Sequence, residues 1–176
     1  MKNYTRILIM MIFSSLFIMS SCKKEEEIIE GCTDSAAMNY NSNATSNNGS
    51  CQYAYEIAQG VWNISPDCEE ITIPVIGTIS LNDQLPTSID VQAGEDNTVY
   101  LDIDGTEVFG NIDNAGYVIV PEQTIQFLDL PIPTDVTVSG SGRIESKTAG
   151  SMDLTYAFEI PLVGAQNISC QIILSK

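Results

Sequence analysis

The chain has 176 residues, with 23 acidic and 7 basic side chains, no histidine and a formal net charge of −16. So acidic a surface repels nucleic acid and anionic lipid headgroups, which argues against both as partners. The missing imidazole removes the commonest general base, proton shuttle and zinc ligand, so nothing here calls for a catalytic metal or another cofactor.

In chain order, Lys2 and Arg6 precede Ile7–Met19, a run that is apolar apart from Ser14 and Ser15. Its thirteen residues are too few to cross a hydrocarbon core of ~30 Å as a helix, but they suit the h-region of a secretory signal. Ser20-Ser21-Cys22 then resembles the lipobox of bacterial lipoproteins. That resemblance implies cleavage after residue 21, acylation of the Cys22 sulfur and of the new amine, and a firm anchor in the membrane. Residues 1–21 are therefore expected to be a signal peptide and 22–30 a charged tether. Within the tether, Lys23-Lys24-Glu25-Glu26-Glu27 resembles the export signal that sends some lipoproteins through the outer membrane to the cell exterior. The plainer reading is a solvated spacer, which such a charge run forms in any case. Removing residues 1–21 takes away two basic residues and no acidic one, leaving 5 basic against 23 acidic and a net charge of −18.

With Cys22 committed to lipid, Cys32, Cys51, Cys68 and Cys170 remain. In an oxidising compartment four cysteines permit three pairings. Cys32–Cys51 with Cys68–Cys170 is the pairing that keeps each bridge inside one module. A four-cysteine metal site is disfavoured because these positions lack paired C-x-x-C spacing.

Residues 31–53 read GCTDSAAMNYNSNATSNNGSCQY, rich in Asn and Ser and too poor in apolar side chains for a core of their own. The stretch resembles a short extracellular repeat, G-C-T-D-x-x-A-x-N-Y-x-x-x-A-x-x-x-x-G-S-C-x-Y, found on bacterial surface proteins. A calcium site would need more carboxylates than Asp34, so Asn47 and Asn48 are read as turn formers. Asp34-Ser35-Ala36 resembles a bacterial O-glycosylation site, which makes Ser35 a candidate acceptor.

From residue 54 to 176 the pattern has period two. TVYLDID sets Val99, Leu101 and Ile103 on one side; LTYAFEI does so with Leu154, Tyr156, Phe158 and Ile160; CQIIL with Cys170, Ile172 and Leu174. Turn signals such as Asp113-Asn114-Ala115-Gly116 lie between these runs, and no helix of ten residues is evident. Eight or nine short strands call for an all-β antiparallel barrel, or alternatively a β-sandwich, behind the small disulfide-bonded module. Trp62, Ile64, Pro66 and Cys68 share one parity, so a Cys68–Cys170 bridge brings the first and last strands together, as barrel closure requires.

Gly60-Val61-Trp62 resembles the G-x-W of lipocalin-type barrels, and the segments around Arg143, Tyr156 and Cys170 resemble small lipocalin-like lipoprotein domains. This implies Trp62 at a closed end beneath a basic residue from a late strand, a role assigned to Arg143. The expected cavity lining is Trp62, Phe127, Tyr156, Phe158 and Arg143. The function this implies is non-catalytic binding of a small neutral or apolar ligand or a glycan. The alternatives are a structural or protein-interaction module with a filled barrel, and a two-carboxylate glycoside hydrolase using Asp102, Asp104, Glu107 or Glu159.

Overall fold

The computed structural model describes residues 27–74, 77–103, 106–126, 135–161 and 163–176. Cys22, Lys23, Lys24, Glu25, Glu26, Asp104 and Phe127 lie outside them. The described chain opens with β1 (Glu30–Gly31) and β2 (Ser46–Asn47), a short parallel pair, followed by a five-residue helix, α1 (Ala54–Ala58). Then come β3 (Gly60–Cys68), β4 (Ile71–Ile73), β5 (Gly77–Ile79), β6 (Ser88–Ala93), β7 (Thr98–Ile103) and β8 (Thr106–Ile112). Four longer strands complete the chain: β9 (Tyr117–Gln126), β10 (Asp135–Ile144), β11 (Ala149–Ile160) and β12 (Gly164–Ser175).

Eight of these strands close into one antiparallel barrel in the order β3-β6-β7-β8-β9-β10-β11-β12, with β12 returning to pair with β3. Each strand neighbours the next in sequence, except that β4 and β5 pair with each other between β3 and β6. The sandwich alternative is set aside by this closure.

Period-two alternation is the reason the wall forms. Along β12, Ile168, Cys170, Ile172 and Leu174 are buried while Ser169, Gln171 and Ile173 face out. Successive strand side chains point to opposite faces, so one apolar set fills the interior. Ile73, Ile79, Leu81 and Leu85, from β4, β5 and the segment after them, join the same core.

The glycines of SGSG are needed where β10 passes close to β11. A Cβ on Gly142 would collide with the Ser151 carbonyl, and one on Gly140 with the Asp153 carbonyl. Crowding between two backbones is the usual meaning of glycine inside a strand.

Both expected disulfides are formed. Cys32–Cys51 closes the loop of residues 32–51, and Cys68–Cys170 joins directly opposite residues of β3 and β12.

Candidate functional site

An apolar cavity of about 120 Å³ lies within the barrel. Trp62 of β3 and Tyr156 of β11 line it, with Val99 and Leu101 of β7 and Val118 and Val120 of β9. Leu85 and Pro86, just before β6, cover one side. Polar surface inside is almost absent, and burial pushes the Tyr156 phenol well above its ordinary pKa.

Trp62 is fully buried and sits against α1, whose Ala54, Ile57 and Ala58 are buried too. Its indole Nε1 donates a 2.7 Å hydrogen bond to the Ala58 carbonyl. A buried indole N–H needs such a partner, and the short helix supplies one. On the indole lies the ammonium of Lys176, 4.3 Å from the ring centroid. Lys176 also donates to the carbonyls of Ile57 and Gln59, and partial burial lowers its pKa from the ordinary lysine value. One end of the barrel is thus closed by helix, indole and ammonium.

This corrects the assignment of Arg143. In β10 the buried residues are Val136, Val138 and Ile144, so the odd-numbered Arg143 faces outward. Its guanidinium lies 4.8 Å from the centre of the Tyr117 ring, the residue opposite it on β9. Arg143 neither covers Trp62 nor lines the cavity. Lys176, which follows β12, takes the place above the indole. The parity of Ile144 was the signal that separates the two cations. Phe158 is buried in the same core but does not line the cavity.

Of the carboxylates considered for glycoside hydrolysis, those among the described residues lie outside the cavity. Asp102 and Glu107 are opposite one another on β7 and β8, but both are on the exposed face, as is Glu159 on β11. Among the described residues no carboxylate lines the cavity.

In the 32–51 loop several polar side chains have a local task. Asp34 accepts hydrogen bonds from the Ala36 amide and, at 2.7 Å, from the Tyr53 hydroxyl. Those two donors hold the Asp34 carboxyl below the ordinary aspartate pKa, and the hydrogen bond to Asp34 raises the Tyr53 phenol. Asn47 and Asn48 accept from the amides of Gly49 and Ser50, the turn-forming role expected of them. Ser35 stands exposed in the turn that Asp34 organises. The loop also reaches the barrel, because Met38 packs against the main core.

The chain matches no family model, no curated protein and no solved structure. What it can do therefore rests on the geometry above.

Proposed function

We propose that this is a lipid-anchored outer-membrane protein, facing the cell exterior, whose barrel binds one small uncharged apolar molecule without transforming it. The observation that carries the binding reading is the apolar cavity above Trp62. An apolar cavity of ~150 Å³ in another protein stays dry and takes up benzene, so a volume of about 120 Å³ suits a single ring or a short hydrocarbon chain. A charged ligand would lose its hydration with nothing to replace it, and a glycan's hydroxyls would meet almost no partner. Such a barrel resembles lipocalins in its use of an interior site.

Trp62 is the only tryptophan of the chain, so its fluorescence reports on the cavity directly. Bromobenzene should quench it saturably, while aqueous bromide should not reach a fully buried ring. Val99→Phe, which fills the cavity at a cost of about 1–3 kcal/mol, should abolish saturation. Quenching that rises linearly and ignores Val99→Phe would sink the binding reading.

The anchor rests on Ser20-Ser21-Cys22 behind the apolar run. Cys22→Ala is expected to remove palmitate labelling and release the protein from membranes; continued labelling would refute it.

A second reading is favoured by one observation. Phe109, Tyr117 and Ile119 are exposed on adjoining strands β8 and β9, a surface suited to meeting another protein. In that reading the cavity is incidental.

A further inference from the structure

The barrel wall is unevenly stitched. β11 and β12 pair through twelve residues each, and β10 and β11 through nine. β7 and β8 pair with one another through six, but β7 reaches β6 only at Tyr100 and Val99, and β8 reaches β9 only at Asn111 and Ile112. All four of those attachments lie toward the same end of the β7–β8 pair. That end is next to α1, since the Tyr55 hydroxyl bonds the Gly94 carbonyl just before β7. Among the described residues, Leu101–Ile103 and Thr106–Gly110 therefore have ladder partners only within the pair.

One described side chain that ties that part of the pair to the rest of the barrel, beside the packing of Leu101 and Val108 in the common core, lies on β9. Gln123 of β9 accepts a hydrogen bond from the Phe109 amide (3.0 Å) and donates one to the Phe109 carbonyl (2.7 Å) and another to the Pro121 carbonyl (3.3 Å). Its amide group stands in for a peptide unit. The substitution is needed because Pro121 has no N–H and β9 shifts register there: Val138 faces Gln123 while Gly140 faces Val120.

We propose that the β7–β8 pair is a hinged flap over the cavity, pivoting at the α1 end, and that Gln123 is its latch. The pair carries cavity walls on both strands, Val99 and Leu101 on one and Val108 and Gly110 on the other. Swinging it outward breaks the two Gln123 bonds to Phe109 and draws Leu101 and Val108 from the core, but it parts no long ladder, and it opens the cavity to a ligand. The access role rests on the binding reading above; the hinge does not.

The hinge is tested without any ligand. Val108→Cys places a thiol on the flap, and Val136→Cys places one on β10 in the core away from the cavity; both parent side chains are buried. Iodoacetamide should label Val108→Cys at least tenfold faster than Val136→Cys in the folded protein. Adding Gln123→Leu should speed the first roughly tenfold more and leave the second unchanged. Gln123→Glu, which still accepts from the Phe109 amide but repels its carbonyl, should act in the same direction. Equal labelling of the two thiols, or indifference to both latch variants, overturns the flap. In parallel, the rate at which bromobenzene quenches Trp62 should rise roughly tenfold in Gln123→Leu. Discriminating thiols with an unchanged quenching rate would keep the hinge and refute its role in access. Discriminating thiols with no saturable quenching at all would refute the binding reading itself, and the access role with it.

Discussion

Replacing both Cys68 and Cys170 with alanine should lower the stability of the barrel by about 3–5 kcal/mol. The bridge closes a loop across a sequence separation of 102 residues, and chain entropy for a loop of ~100 residues gives about 4.7 kcal/mol, the upper end of that range. The cysteines are 6% and 2% exposed, so alanine also leaves a small apolar deficit. For a domain of this size each kcal/mol moves the melting temperature by roughly 2–4 °C, so the double variant should melt about 6–20 °C lower. Calorimetry decides it. A shift below 3 °C would mean that the β3–β12 ladder, six residue pairs long, closes the barrel without covalent help.

Trp62→Ala should cost a comparable amount, about 3–5 kcal/mol, as is typical of removing a buried aromatic. Three losses coincide at this residue: the packing of a fully buried indole, the hydrogen bond to Ala58, and the ring beneath the Lys176 ammonium. Trp62→Phe separates them. It retains an apolar ring and a cation–π partner but leaves the Ala58 carbonyl without its donor, which should cost about 1–3 kcal/mol. Lys176→Met should cost less than either, since cation–π contacts at partly exposed sites contribute about 0.5–1 kcal/mol. Denaturant titration gives all three values. If Lys176→Met proved as damaging as Trp62→Ala, the ammonium and not the indole would be the element that seals this end.

Much of the barrel could be read from the sequence because alternation is a local signal. Tyr156, Phe158 and Ile160 announce their face without knowledge of any neighbour, and Cys68 and Cys170 declare that two distant strands touch. Trp62 was equally visible as a large apolar residue at the start of a strand. What escaped depends on register. Arg143 is the only arginine in residues 22–176, so residue type alone points to it; the phase of its own strand, set by Ile144, turns it outward. Phe158 has the right parity but sits where the barrel is filled. Gln123 could not be recognised at all, because its role exists only where β9 slips against β10 and meets Phe109. Pro121 inside an apparent strand was the one hint that the ladder is interrupted.

The pairing of β3 with β12 also governs how the protein is made. Seven of the eight barrel strands can be present with the sheet still an open ribbon, exposing the edges of β3 and β11 until β12 arrives. Contacts so distant in sequence form slowly, and unpaired edges invite other chains to add to them. A nascent chain stalled before Gly164 would therefore be an aggregation hazard rather than a smaller working barrel.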